Sequence, residues 1–150
     1  MARFLNLRSD YGILLLLSLA NQSSEEHLSI ANIARGLNIS PSFLEQIAHR
    51  LKTAQLISAQ RGRGGGYRLM QDPQFISVSS VIEALEGPIE AVACQGTSCA
   101  ASPHCLTQHF WLFFQRYMHK TLREITIADL QNKKPYELLP SYGEKSYGKF

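Results

Sequence analysis

Three cysteines, Cys94, Cys99 and Cys105, are the residues best suited to chemistry, and the chain contains no others. Their C-x4-C-x5-C spacing within twelve residues lets three thiolates converge on one soft metal centre. An odd number of thiols cannot pair completely in intrachain disulfides, which argues against a secreted disulfide scaffold and for a reducing cytoplasm. The pattern therefore predicts a metal site in a cytoplasmic protein.

The residues leave three interpretations of this cysteine cluster open. Zinc favours four tetrahedral ligands that usually arrive in C-x2-C pairs, and a thiol–disulfide switch does not need a third thiol. An iron–sulfur cluster, 2Fe–2S or 4Fe–4S, fits three thiolates completed by a non-cysteine ligand, and a weak fourth ligand would suit a sensor. His104, Gln108 and His109 lie nearby in sequence, and a ligand from a partner subunit is equally allowed.

The charge distribution indicates a nucleic-acid partner. Residues 1–72 carry eight Lys and Arg against five Asp and Glu, whereas residues 73–150 carry seven of each. A basic half on an otherwise ordinary folded chain of 150 residues favours contact with DNA or RNA. The apolar run at 13–20 is too short to span a bilayer and predicts a buried first helix rather than a secretory signal.

Helix signals in the first half predict a helix-turn-helix. A first helix is expected to run from a cap at Ser9 or Asp10 to about Ala20. Ser29 then caps a short helix, a tight turn follows, and Ser40 caps the next helix with a proline at its first helical position. Two short helices behind a longer support helix have the layout of a helix-turn-helix.

A β-hairpin is expected directly after the second short helix. Strands at Leu56–Gln60 and Tyr67–Met70 flank the glycine-rich loop 61–66. A hairpin in this position is a wing, so the expected fold is mainly α with a small β-hairpin wing: a winged helix-turn-helix followed by a long C-terminal dimerisation helix. The loop lacks the Lys-Ser/Thr ending and following helix of a nucleotide-binding motif.

Polar and basic side chains on the second short helix, which is the recognition helix of the motif, and on the wing could contact DNA. Hydroxyl, amide and carboxylate groups can bond base edges, and arginines suit phosphates or a narrow minor groove. The candidate DNA-binding residues are Ser40, Ser42, Glu45, Gln46, Arg50, Arg61 and Arg63.

The second half is expected to contain a helix at Val78–Leu85, a cysteine loop at 90–105, a long helix at Leu106–Glu124 and a short turn or helix at Ile125–Leu130. The long helix carries more aromatic residues than a small winged domain needs, which favours a dimer interface. The expected organisation is a DNA-binding domain at 1–72, a linker helix and cysteine loop at 73–105, a dimerisation region at 106–139 and a flexible tail at 140–150. The loop has no neighbouring nucleophile–base pair or cofactor fingerprint, so no enzyme is expected.

Six sequence motifs together carry a family resemblance: SDYG, SPSFLEQ, RGRGGGYRL, LEGPI, C-x4-C-x5-C and ITIADL. With them the chain resembles the IscR/NsrR/RirA family of bacterial regulators, the Rrf2 family, over about residues 3–139. The resemblance implies a homodimeric winged-helix transcription factor, usually a repressor, with an iron–sulfur cluster in each subunit. It also implies that the cluster lies beside the DNA-binding domain and alters its geometry.

Two subfamilies differ in the expected fourth ligand. CQG, CLT and LEQ are similar to IscR-like regulators of cluster assembly, whose ligand histidine would fall at Gln108, one residue before His109. One residue turns a helical side chain by about 100°. DYG and the cysteine spacing are similar to NsrR-like nitric-oxide sensors, which implies Asp10 of the partner subunit as ligand. IscR-like control of cluster assembly or iron homeostasis is favoured; a nitric-oxide sensor and a cluster-free thiol-based redox regulator are the alternatives.

Overall fold

The computed structural model describes residues 6–23, 26–62, 64–89 and 105–132. Within these ranges the chain forms six α-helices and one two-stranded antiparallel hairpin, which confirms the expected mainly α fold with a small wing. The predicted tail at 140–150 lies outside the described residues. The elements are α1 (Leu7–Ala20), α2 (Ile30–Leu37), α3 (Pro41–Thr53), β1 (Ile57–Gln60), β2 (Gly66–Leu69), a short 3-10 helix (Pro73–Phe75), α4 (Val78–Glu86), α5 (Gln108–Glu124) and α6 (Ile127–Asn132).

Helix α1 begins earlier than the sequence predicted. Asn6 is its N-cap, because the Arg8 backbone N–H donates to Asn6 Oδ1 at 2.6 Å. The prediction of a cap at Ser9 or Asp10 was wrong. Ser9 is only 1% exposed and its hydroxyl donates to Glu86 Oε1 at 3.4 Å, so it faces α4 from within the first turn. Asn and Ser are nearly equivalent caps, and the packing of α1 on α4 decides which one the helix uses.

The helix-turn-helix follows the sequence signals closely. Ser29 caps α2 by accepting the Asn32 backbone N–H at 3.3 Å. Asn38 ends α2 in the left-handed conformation (φ 54°), and Pro41 occupies the first position of α3. The inner side of α3 is buried in the core through Leu44, Ile47, Ala48 and Leu51.

The wing is anchored to the start of α2 as well as closed on itself. Its register runs from Ile57 opposite Leu69 to Gln60 opposite Gly66. Leu28 and Tyr67 exchange two backbone hydrogen bonds, at 3.0 and 2.8 Å, and form an isolated bridge. This bridge fixes the position of the wing relative to the helix-turn-helix.

The core continues past the wing into the following elements. Ile76, Val81 and Leu85 are fully buried and pack with α1 and α3 in the same cluster. The chain then returns through Ile127, whose backbone N–H donates to Ile76 O at 2.9 Å. One hydrophobic core therefore joins the winged region to α4 and α6, which places the end of α4 next to α1 and α3.

Helix α6 begins at Ile127, two residues later than the short element predicted at Ile125. Thr126 and Asp129 cap it reciprocally: the Asp129 backbone N–H donates to Thr126 Oγ1 at 3.1 Å, and the Thr126 backbone N–H donates to Asp129 Oδ2 at 3.0 Å. This is a capping-box arrangement with Asp in the third helical position.

Helix α5 packs on the other described residues along one side. Met118 and Leu122 contact the cluster formed by Val78, Ile82 and Ile89, yet none of its 17 residues is buried. It begins at Gln108 rather than at the predicted Leu106, which is 97% exposed. Within the described ranges, the helices lack the combination of length and apolarity needed to cross a bilayer.

Candidate nucleic-acid interface and cysteine site

Helix α3 presents a continuous polar face on the side opposite the core. Ser42, Glu45, Gln46 and His49, which we call the recognition face, are all exposed and follow the i, i+3, i+4, i+7 spacing of one helix side. Ser40, just before them, is also exposed, and its side chain makes no capping hydrogen bond. A helix with a buried inner face and a free polar outer face, preceded by a second short helix, can enter a major groove.

Arg50 differs from the other predicted DNA-contacting residues on this helix. It is exposed, but its Nη1 donates to the backbone carbonyl of Leu85 at 2.8 Å. The guanidinium therefore contacts the last turn of α4. Lys52, two residues further along, is exposed in the last turn of α3. Nothing in the sequence around Arg50 predicted this contact, because its acceptor is a backbone atom 35 residues away.

The wing carries Arg61 as an exposed residue directly after β1. Gly62 and Gly64 follow with φ of 101° and 80°, a conformation that favours glycine, and Gly65 closes the turn by donating its N–H to Gly62 O at 2.9 Å. The turn leaves the Arg61 side chain free to approach a phosphate or enter a minor groove. The predicted partner in this role, Arg63, lies outside the described residues.

Two further basic residues lie on the elements that form this candidate interface, although no sequence motif predicted them. Arg35 lies in the last turn of α2, where the first helix of a helix-turn-helix crosses the DNA backbone. Arg68 is exposed on β2 and its Nε donates to Ser58 Oγ at 3.4 Å across the hairpin. In the sequence, the alternation of apolar Tyr67 and Leu69 with charged Arg68 is the signal that could have identified Arg68.

Cys105 lies two residues before the N-cap of α5 and is half-buried. Its Sγ is 3.5 Å from Thr107 Oγ1. Hydrogen bonds from the Thr107 side chain and then from its backbone lower the pKa of the Cys105 thiol. This environment favours the thiolate, the form that binds soft metals and attacks electrophiles. Of the predicted ligands, Cys94 and Cys99 lie outside the described residues.

The two candidates for the fourth ligand are both exposed. His109 is in the first turn of α5, four residues after Cys105, and Asp10 is in the first turn of α1. Within the part of the chain that the structure describes, no three His, Cys, Asp or Glu side chains come together as a metal-binding group. The donor chemistry at Cys105 nevertheless fits a thiolate-bound metal.

Comparisons with protein families, with individual proteins and with solved structures each find regulators of transcription. The family model described as "Rrf2: Iron-dependent Transcriptional regulator" matches residues 5–133. The HTH-type transcriptional regulator IscR of Yersinia enterocolitica is 34% identical over 131 residues, which are 87% of this chain and 80% of that protein. The solved structure of T. potens IscR has a TM-score of 0.68 and 26% identity, and the match covers 93% of this chain and 98% of that one. The oxidized form of Staphylococcus aureus CymR has a TM-score of 0.68 and 27% identity, with 86% and 96% covered.

Proposed function

Since the chain belongs to the Rrf2 family of transcriptional regulators, we propose that it is a homodimeric cytoplasmic repressor whose DNA affinity depends on an iron–sulfur cluster. The coarser part of this description is plain: the chain is a winged-helix transcriptional regulator and not an enzyme. The finer part, namely the cluster, the dimer and the repressor activity, is the proposal.

The chemistry of Cys105 is the observation that carries the cluster proposal. Its Sγ is 3.5 Å from Thr107 Oγ1, and hydrogen bonds from Thr107 lower the pKa of this thiol, which favours the thiolate form that binds metal. Cys94 and Cys99 would supply two more thiolates from the same segment. Bound iron would supply a centre that reacts with oxidants and nitric oxide, and the family description as iron-dependent supports iron over zinc.

The fourth ligand distinguishes two versions of the sensor. His109, in the first turn of α5, would complete an IscR-like cluster, and the match to IscR favours this version with control of cluster assembly or iron homeostasis. Asp10 of the partner subunit would complete an NsrR-like cluster that senses nitric oxide. The exposure of both side chains leaves either one accessible to a metal.

DNA binding would use the recognition face of α3 together with Arg61 on the wing. The neutral and acidic groups on α3 suit base edges, whereas Arg61 suits a phosphate or the minor groove. Arg63 would act with Arg61. Dimerisation would use the exposed aromatic side of α5, where Phe110 is 57% and Phe113 is 66% exposed. A dimer would place two recognition helices on paired half-sites.

A second candidate function drops the cluster and keeps the DNA binding. The structural match to an oxidized form of CymR favours a regulator that responds through thiol oxidation. Cys105 would be the reactive thiol in that case, because a lowered thiol pKa also favours attack on a disulfide or peroxide.

One experiment separates these functions. The protein is purified without oxygen, its absorption spectrum and iron and sulfide content are measured, and its binding to DNA is compared before and after cluster removal. The DNA probe is a fluorescent duplex selected by the wild-type protein from a random-sequence library (the selected duplex). A coloured protein whose affinity changes on cluster loss supports the sensor. A colourless protein whose affinity changes on thiol oxidation supports the second function, and unchanged affinity in both tests contradicts both.

A further inference from the structure

Side chains of two other helices hold the end of α4 and the three residues after it, a segment we call the junction turn (residues 85–89). From α3, Arg50 Nη1 donates to Leu85 O at 2.8 Å. From α5, His119 Nε2–H donates to Ile89 O, with the two atoms 2.6 Å apart. The junction turn thus connects the recognition helix to the helix that follows the cysteines.

The contact from Arg50 brings a basic group to the C-terminal end of α4. The last four carbonyls of a helix have no partner within it, and that end carries a partial negative charge. Helix α4 has no basic residue in its last turn and ends with Glu86. The guanidinium of Arg50, which lies on α3, therefore donates a hydrogen bond to one of these carbonyls and places a positive charge at the negative end of α4. Because breaking this hydrogen bond would cost free energy, α3 and the end of α4 should move together.

Helix α1 is tied to the same segment. Asn6 Nδ2 donates to Glu86 Oε2 at 2.8 Å while Asn6 Oδ1 caps α1. Gly87 follows with φ of 88°, which lets the chain turn away sharply from the helix axis. The junction turn is consequently hydrogen-bonded to α1, α3 and α5 together.

The junction turn also stands next to the cysteines in sequence. Ile89 precedes Cys94 by five residues, and Cys105 precedes the start of α5 by three. A change of conformation at the cysteines would therefore act on the junction turn directly through the chain. It would also act through α5, which bonds Ile89 by His119.

From these contacts we infer that Arg50 is a positioning residue that transmits the state of the cysteine segment to the recognition helix. Its bond to Leu85 O sets the position of α3 according to the conformation of the junction turn. This role replaces the phosphate contact that the sequence predicted for Arg50, and it rests on the proposed cluster-dependent DNA binding.

Two neighbouring substitutions distinguish transmission from phosphate contact. Arg50→Gln removes the bond to Leu85 O, and Lys52→Gln removes a charge from the same helix two residues away. Binding to the selected duplex is measured with and without the cluster, and cluster-free protein is also titrated at several salt concentrations. A lost phosphate contact weakens both states equally and reduces the slope of log affinity against log salt by about 0.9.

We expect Arg50→Gln to bring the ratio of DNA affinities with and without the cluster to within about twofold of one. In allosteric proteins such a ratio is typically about 5- to 150-fold. Its salt slope without the cluster should equal that of the wild type. Lys52→Gln should keep the wild-type ratio. If Arg50→Gln keeps the ratio and loses salt slope, Arg50 is a phosphate contact and the inference is wrong. If the wild-type ratio is already one, the proposed sensing function fails as well.

A second variant covers the case in which Arg50→Gln does not fold. His119→Phe breaks the bond from α5 to Ile89 O, and it lies on a helix outside the DNA interface. We expect it to reduce the same ratio with no change in salt slope. Hydrogen exchange of the α3 amides gives a readout independent of DNA: it should change on cluster removal in the wild type and stay constant in His119→Phe. A ratio and an exchange response equal to those of the wild type would contradict transmission through the junction turn.

Discussion

Gly12 in α1 packs so closely on Leu85 in α4 that a Cβ at position 12 would overlap Leu85 Cδ1. Leu85 is fully buried, so its side chain has little room to move away. The same residue accepts the Arg50 hydrogen bond through its carbonyl oxygen. The close approach of α1 and α4 therefore determines where the junction turn lies.

Substitution Gly12→Ala should lower the free energy of unfolding by about 1 kcal/mol. Overpacking costs about 1–3 kcal/mol, and the better helix propensity of alanine offsets about 1 kcal/mol of it. The matched control is Gly36→Ala in α2, where a Cβ meets no atom within 4 Å. That variant should gain about 0.5–1 kcal/mol. Urea denaturation followed by circular dichroism measures both; a stabilised Gly12→Ala would show that α4 can shift freely.

The sequence was sufficient to predict the helix-turn-helix and the wing, because their signals are local. Ser29 accepts from a backbone N–H only three residues ahead, and Pro41 is restricted to the first turn of a helix. The glycine run around Gly62 supplies the positive φ angles that this turn requires and that other residues rarely adopt. Such features depend on residues that are close together in the chain, so they can be predicted from the sequence alone.

The contacts that organise the junction turn could not be predicted in this way. Arg50 bonds a carbonyl 35 residues away, and His119 bonds one 30 residues away. Every residue has the same carbonyl, so nothing in the sequence marks Leu85 or Ile89 as an acceptor. The start of α1 was missed for a related reason, since burial of Ser9 against α4 becomes apparent only when the helices are packed.

Substitution Arg61→Gln should weaken binding to every duplex by a similar factor. A phosphate or minor-groove contact contains little sequence information, so the expected change is a decrease of about 0.9 in the salt slope. Gln46→Ala on the recognition face is the contrasting variant: loss of a base contact should cost about 1–3 kcal/mol on the selected duplex and little on random DNA. Fluorescence anisotropy at four salt concentrations measures both. A sequence-selective loss in Arg61→Gln would contradict its role as a backbone contact.

Substitution Thr107→Val should slow the alkylation of Cys105 near neutral pH. The Thr107 side chain is the main cause of the lowered pKa of the Cys105 thiol. Without it, the pKa rises towards the ordinary value of about 8.5, and less thiolate is present at pH 7. The pH profile of labelling should shift upward, while the rates converge above both pKa values. The labelling is measured by mass spectrometry on cluster-free protein that carries Cys94→Ser and Cys99→Ser, so that Cys105 is the one remaining thiol.

Thr121→Val is the control for this measurement. Thr121 lies on the same helix, and its hydroxyl donates to Tyr117 O at 2.9 Å, so its loss should leave the Cys105 profile unchanged. Equal profiles for Thr107→Val and the wild type would show that the threonine hydroxyl does not stabilise the thiolate.

Substitution Phe113→Asp should convert the proposed dimer to a monomer. Phe113 is 66% exposed and stacks on Tyr117, with ring centroids 6.2 Å apart, on the side of α5 that the described chain leaves uncovered. A carboxylate placed in an apolar interface would lose its hydration without a compensating partner. Light scattering should then give a mass near the 16.8 kDa of one chain.

Gln115→Asp introduces the same side chain two residues later, about 200° around the helix, and should preserve the dimer. Its effect on helix propensity and net charge resembles that of Phe113→Asp, so a difference between the two variants must come from the aromatic side of α5. Because paired half-sites require two recognition helices, the monomer should also bind the selected duplex more weakly. A Phe113→Asp protein that keeps twice the chain mass would place the dimer interface elsewhere and leave the aromatic side of α5 unexplained.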